Sequence, residues 1–242
     1  MSDYRLLTAG DTGLVVEFGD RVDRRINRKV LALAHRIADA RINGIIETVP
    51  TFRSLMIYFE PLVLDRDLLI ARIDDMMKGL PQNETAGRAW HIPVCYDERL
   101  APDLMAVAAV TRLDPDEIVA RHSTATYHVY MLGFLPGQAY MGDLPSELNL
   151  PRREVPRLRI PAGSLAIAMN MTCIFPLETP CGWHLIGRSP VSLWDNTDAL
   201  LAPGDKVHFD PVSFEQYQDL AVDAAEGVLK ILPGENVIGA AA

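Results

Sequence analysis

Cysteine is scarce in this chain. Cys95, Cys173 and Cys181 are the only three among 242 residues. Odd in number and without paired spacing, they point to reduced thiols in a cytosol. Cys173 and Cys181, on either side of Pro176, could meet across a hairpin, but buried free thiols are the favoured reading. Long apolar runs are missing too. No stretch of about 18 uncharged apolar residues occurs, so no membrane-spanning helix is expected. The N-terminus, M-S-D-Y-R-L-L, has no basic segment leading into an apolar one, so no export signal is expected. The chain has no G-x-x-x-x-G-K-[ST] phosphate loop and no G-x-S-x-G elbow, and Ser164 sits in A-G-S-L, too little to name a nucleophile. The glycine-rich Ser/Lys arrangement of amidases is absent. His35, His91, His122, His128, His184 and His208, with the cysteines, show no metal-ligand spacing, which argues against a zinc site. There is no internal repeat and no low-complexity tract.

What is present is a globular composition with unevenly placed charge. Apolar residues make up 49% of the chain and mean hydropathy is +0.08, enough for a sizeable core in one large domain or two small ones. The net charge is −9. Residues 1–80 balance 12 basic against 12 acidic side chains, whereas residues 81–242 hold 11 basic and 20 acidic. Within that acidic part, residues 151–188 reverse the sign, with Arg152, Arg153, Arg157, Arg159 and Arg188 against Glu154 and Glu178. An acidic protein does not attract nucleic acid at long range. A confined basic stretch suits a carboxylate, a phosphate or an acidic partner surface.

The periodicity predicts two parts. Leu14–Phe18 reads as a strand after the turn at Ala9-Gly10-Asp11, and Ser54–Phe59 as another. From Asp23, the apolar positions Ile26, Val30, Leu33, Ala34 and Ile37 follow helical spacing. Gly44 ends that unit. Asp65 or Asp67 caps a second helix whose Leu69, Ile73, Met76 and Met77 face inward. Strand–helix–strand–helix over 1–80 is a small α+β domain. Residues 79–89 (G-L-P-Q-N-E-T-A-G-R-A) read as a linker. Trp90–Tyr96 then reads as a strand, followed by two short helices, the second opened by Asp114-Pro115-Asp116-Glu117. From Tyr127 the pattern becomes short strands with Gly/Pro turns, at 127–132, 164–168, 183–187, 191–194 and 206–209. That pattern predicts a closed or nearly closed barrel over 81–218. Residues 219–242 read as a loose C-terminal extension, with Val228–Leu232 as a possible edge strand.

Several segments, in order and spacing, resemble one family. They are A-G-D-T-G-L-V-V-E-F-G (9–19), E-T-V-P-T-F-R-S-L-M-I-Y-F (47–59), I-P-V-C-Y-D (92–97) and D-E-I-V-A-R-H (116–122). The most distinctive are G-F-L-P-G (133–137), P-R-L-R-I-P-A-G-S (156–164) and G-W-H-L-I-G-R (182–188). Up to about Tyr217 the chain resembles the KipI, 5-oxoprolinase subunit PxpB and allophanate hydrolase subunit 1 family, the carboxyltransferase domain of subdomains C and D. The resemblance implies an α+β N-terminal domain followed by a mainly β, cyclophilin-like barrel. It implies a partner of the KipA, PxpC or allophanate hydrolase subunit 2 type, and a complex that hydrolyses 5-oxoproline with ATP alongside a third subunit. Two other roles known in the family are inhibition of a histidine kinase and carboxyl transfer in a biotin-dependent urea carboxylase. The chain departs from the family pattern in one stretch. Members usually read approximately A-G-N-Q-T-G-I-Y-P where this chain has Ala168-Met169-Asn170-Met171-Thr172-Cys173-Ile174-Phe175-Pro176. A glutamine amide and a phenol are thereby lost from a prospective pocket wall, which leaves the substrate open. Gln138 also stands where an aromatic residue is usual.

Candidate site residues follow from the same stretch. The turn from Gly133 to Gly137 either points backbone N–H groups at a ligand or is a plain barrel corner. Arg157 and Arg159, in a proline-bracketed extended run, project to one side about 6–7 Å apart. They form an anion clamp, a solvated face or a salt-bridged interface. Arg188 and His184 share the W-H-L-I-G-R strand, where a histidine is suited to acid–base work or to a structural role. Asn170 and Thr172 are candidate polar contacts. Met131, Phe134, Tyr140 and Met141 are candidates for an apolar groove receiving a partner such as a kinase helix. Opening the unactivated lactam of 5-oxoproline requires phosphorylation of its amide oxygen, and that charge needs cationic and N–H donors. Arg157, Arg159 and Arg188 with the 133–137 loop would supply part of that environment. ATP enters at the level of the complex and biotin only under the carboxyltransferase role. The isolated chain is expected to be inactive.

Overall fold

A computed structural model describes residues 4–80 and 87–235. Contacts divide the chain into two compact units, 1–86 and 87–242. The central part of the linker predicted over 79–89, residues 81–86, lies outside the described residues.

The first unit is an antiparallel sheet with two helices. Strands β1 (Arg5–Ala9), β2 (Gly13–Glu17), β3 (Ile45–Pro50) and β4 (Ser54–Phe59) lie in the order β1-β2-β4-β3. Helix α1 spans Arg24–Ala40 and α2 spans Arg66–Met77. Asp23 and Asp65 cap them, each side chain accepting two backbone N–H bonds of the first turn. Leu14, Val16, Leu55, Ile57 and Phe59 from the central strands pack on Val30, Leu33, Ile37, Leu69 and Ile73. Both central strands and both helices agree with the periodicity, whereas β1 and β3 are not anticipated by it. These are the sheet edges, and neither holds a buried residue, so a one-sided apolar alternation is weak in them.

The second unit contains a closed seven-stranded barrel. Its strands are β5 (Ala89–Cys95), β6 (Tyr127–Leu132), β7 (Ala139–Gly142), β9 (Ser164–Ala168), β10 (Met171–Ile174), β12 (His184–Arg188) and β13 (Lys206–Val212). Around the barrel they run β10-β7-β6-β13-β5-β12-β9, with β5 and β13 parallel and the other pairs antiparallel. Strands β8 (Arg157–Ile160) and β11 (Thr179–Cys181) form a separate two-stranded sheet. Helices α3 (Leu104–Thr111) and α4 (Pro115–Thr124) add Leu104, Val107 and Ile118 to the barrel core, which includes Trp90, Ile92, Tyr127, Val129, Leu165, Ile167, Ile174, Ile186 and Phe209.

Strand β9 shows why one stretch of sequence does not alternate. All five of its residues are buried. Leu165 and Ile167 belong to the barrel core, while Ala166 and Ala168 pack in a second cluster with Cys173, Phe175, Cys181, Trp183 and Leu185. Ile160 of β8 and Cys181 of β11 complete that cluster, so the small sheet covers one outer face of the barrel.

Three expectations need correction. Residues 191–194 form no strand. Val191 and Leu193 are buried in the barrel core, but the segment makes only an isolated bridge, Trp194 to Ala199. The 219–242 extension is not loose where it begins, because Asp219 lies inside helix α5 (Phe214–Ala225). A reciprocal capping box between Ser213 and Gln216 starts that helix. Val228–Leu232 is not a strand either. Ile231 joins the barrel core and the Gly234 N–H donates to the Ala89 carbonyl at 2.7 Å.

Candidate functional site

The hairpin joining β6 to β7 builds the first wall of a pocket. The Gly133 N–H donates to the Gln138 carbonyl, and the Gln138 N–H to the Leu135 carbonyl, both at 3.1 Å. Those two N–H groups therefore close the turn and do not face a ligand. Gly137 has φ +75°, and a Cβ there would lie 2.6 Å from the Leu193 carbonyl oxygen, so only glycine fits. Phe134 is held at φ +72° and is 67% exposed. Left-handed backbone at an aromatic residue is strained, and such strain clusters at functional sites.

The turn delivers Phe134 and Gln138 to a pocket of about 160 Å³, whose other walls include Tyr140, Phe175, Trp183 and Arg152. The Trp183 ring meets Tyr140 and Phe175 edge-on, with centroids 6.1 and 6.4 Å away. Burial pushes the Tyr140 hydroxyl above its ordinary value, and nearby Cys173 adds to this against a lowering by Arg152. Burial also pushes the Cys173 and Cys181 thiols up. Protonated at neutral pH, neither is an activated nucleophile. Gln138 is 1% exposed, yet its Oε1 has no hydrogen-bond partner among the described residues.

Arg152 owes its position to its neighbours. Arg153 donates from Nη1 to Asp103 Oδ1 at 2.6 Å, and Arg157 donates to both Asp103 oxygens at 2.7 and 2.8 Å. The Leu185 N–H adds a bond to Asp103 Oδ2 at 2.7 Å. Burial alone would raise this carboxyl, but the Arg157 guanidinium, the Leu185 N–H and Arg153 hold it below the usual range. The Arg153 backbone N–H also donates to the carbonyl of Gly182, a pocket residue. Residues 151–157 are thus pinned to the barrel, and Arg152 stands beside the pocket with no carboxylate in ion-pair range among the described residues.

The other sequence candidates are not gathered at this pocket. Arg157 is engaged by Asp103, while Arg159 is exposed and paired with Glu178 at 2.6 Å, so the two form no joint clamp. Arg188 donates from Nε to the Ala162 carbonyl at 2.9 Å. His184 shares a 2.9 Å bond from Nε2 to the Pro151 carbonyl, and its buried Nδ1 is unpartnered among the described residues. Asn170 is exposed at the β9–β10 turn. Met131 is half-buried. Met141 is fully buried in the barrel core, so it lines no groove.

Thr172 is likewise buried, facing His122 across the barrel interior. Its hydroxyl donates to the Ala166 carbonyl at 3.1 Å, so His122 Nε2–H must be the donor in their 3.0 Å contact. His122 Nδ1 then accepts from the Tyr96 hydroxyl at 2.9 Å. Burial pushes the His122 pKa down to about 3, leaving a neutral, fully bonded core imidazole.

Sequence reasoning missed Asp103, Gln138 as a pocket residue and the divergent fates of the arginines. Asp103 precedes α3 and looks like a helix cap, but its side chain makes no capping bond and turns to the arginines instead.

The model of the carboxyltransferase domain, subdomain C and D, matches residues 4–202. The 5-oxoprolinase B subunits of two bacteria are similar to this chain over most of its length. With that of Bacillus subtilis (strain 168) it shares 33% identity over 228 residues, covering 88% of this chain and 95% of the relative. With that of Escherichia coli O157:H7 it shares 36% identity over 217 residues, covering 87% and 97%. Among solved structures, the crystal structure of TTHA0988 superposes with a TM-score of 0.75 at 37% identity. That match covers 83% of this chain and 40% of the other.

Proposed function

The chain belongs to the carboxyltransferase domain family of subdomains C and D, and from that premise we propose that it is one subunit of a 5-oxoprolinase-like complex. One observation carries the reading: identity of 33% and 36% to two 5-oxoprolinase B subunits over nearly their whole length. The reaction consumes 5-oxoproline, ATP and water and yields glutamate, ADP and phosphate. Within it, this chain is an α+β domain joined to a cyclophilin-like barrel, working in the cytoplasm with a KipA, PxpC or allophanate hydrolase subunit 2-type partner and a lactam-utilisation subunit.

The residues of the pocket fit a small amide and do not fit ATP. A volume of about 160 Å³ falls below the ~300–1,000 Å³ typical of drug-sized ligand sites. One guanidinium among aromatic rings does not cradle a triphosphate. Nucleotide is therefore not assigned to this pocket, and the pocket's part is to hold and orient the amide. The kinase-inhibitor reading needs an apolar groove, and burial of Met141 in the barrel core removes one of its four supports. Biotin belongs only to the carboxyl-transfer reading, which no residue of the pocket favours.

Co-expression with the sister subunit and the lactam-utilisation subunit, followed by assay of glutamate and ADP, tests the proposal. The assembly is expected to release both from 5-oxoproline, and the isolated chain neither. Turnover by the chain alone, or none by the assembly, would overturn it.

A further inference from the structure

We propose that the pocket beside the Gly133–Gln138 turn binds a small cyclic amide carrying a carboxylate. Gln138 Oε1 accepts the ring N–H, and Arg152 pairs with the carboxylate. The choice of a five-membered lactam rests on the 5-oxoprolinase-like reading. The hydrogen-bonding and charge assignments rest on the pocket itself.

Gln138 is the most informative residue. Its side-chain amide is buried, and Nε2 is turned toward Cys173 Sγ at 3.9 Å, a weak acceptor. The other end, Oε1, has no partner among the described residues. A buried unpaired acceptor is costly, and native proteins rarely leave one without a water, an ion or a ligand to complete it. Tyr140 and Trp183 stand in the same wall, yet among the described residues no donor of theirs or of any neighbour bonds Oε1, so the missing donor is assigned to a bound molecule. That donor is an N–H or O–H at the end of the pocket where Gln138 lies.

Arg152 supplies the second requirement. It is exposed at the same pocket without a carboxylate partner among the described residues, while Arg153, Arg157 and Arg159 are all paired. A free guanidinium beside an aromatic slot recognises an anionic oxygen pair. The volume, about 160 Å³, suits a small molecule on the scale of one five-membered ring with a carboxylate. A ring N–H at one end, a carboxylate at the other and a flat body between them match walls of this kind.

The test uses the full chain and three probes in calorimetry and NMR. They are 5-oxoproline, its lactone counterpart with ring oxygen in place of N–H, and 2-pyrrolidinone, which lacks the carboxylate. The lactam acid is expected to bind at least about tenfold more tightly than the lactone acid, because the lactone sets a ring oxygen against Gln138 Oε1. Gln138→Met, with Gln138→Leu as a second variant should the first fail to fold, is expected to bring that ratio near one. The substituted chain should also melt at a higher temperature when free of ligand, since an unpaired acceptor is gone. Arg152→Gln should abolish the preference for 5-oxoproline over 2-pyrrolidinone. Equal binding of lactam and lactone by the unsubstituted chain, or no shift of the Gln138 side-chain amide resonances, would overturn the site. Those outcomes leave the function of the assembly untouched. Conversely, selective binding here with no turnover by the assembled subunits would keep the site and overturn the function.

Discussion

Met169 holds a backbone conformation that its side chain opposes. It is the first residue of the two-residue turn between β9 and β10, at φ +54°, a position at which hairpin turns of this kind favour glycine. A left-handed non-glycine residue costs about 1–2 kcal/mol, partly offset by the greater freedom that glycine loses on folding. Met169→Gly is therefore expected to stabilise the fold by about 0.5–1 kcal/mol, read as a higher denaturant midpoint; a lower midpoint would contradict the strain. His122 makes the opposite kind of prediction. Its folded pKa near 3 lies below the ordinary 6.5, so the native state excludes a proton that the unfolded chain binds. The stability this contributes is complete above about pH 6.5. It drains away as pH falls toward 3, by up to about 1.4 kcal/mol per unit. Urea unfolding of the unsubstituted chain and of His122→Gln from pH 7 to pH 4.5 should show their difference shrinking as the solution is acidified. A constant difference would mean that His122 is not held neutral.

At the scale of elements, a carboxylate fastens the segment leading into β8. Asp103 receives three guanidinium bonds and one backbone N–H while itself 3% exposed. Asp103→Asn would leave Arg153 and Arg157 half-buried without a counter-charge. A loss of about 2–4 kcal/mol is expected, with proteolysis appearing first within residues 151–160. Unchanged stability and protease resistance would show that the cluster does not hold this segment. The same elements show what a linear reading can see. Helices α1, α2 and α4 were legible because an Asp cap and a one-sided apolar stripe are local signals. Strands β1 and β3 were not, because edges bury little. Residues 191–194 misled because Val191 and Leu193 alternate like a strand while packing as a loop. Helix α5 was missed although its S-x-x-Q cap was present, since no residue within it is buried.

Across the whole molecule, the reversal of charge in an acidic chain was the main pointer to a site, and it was only partly right. Most of the basic side chains between 151 and 188 have internal business: Arg153 and Arg157 with Asp103, Arg159 with Glu178, Arg188 with a carbonyl. Composition counts guanidinium groups but not their partners, because Asp103 is about fifty residues away in the chain and adjacent only once the barrel has closed. The prediction at this scale concerns mixing: equimolar sister subunit added to this chain should produce a stable complex on size-exclusion chromatography, and separate elution would count against a shared assembly. The amino-acid sequence by itself determined the α+β start, the capped helices, the turn-rich β half and the family, since each is written in local spacing or in ordered short motifs. Only the tertiary structure decided that Thr172 and Met141 are interior and that, among the described residues, Arg152 is left without a carboxylate and Gln138 keeps an unanswered acceptor at the pocket. Those facts depend on which side chains meet when distant strands pair, and no stretch of the chain carries that information alone.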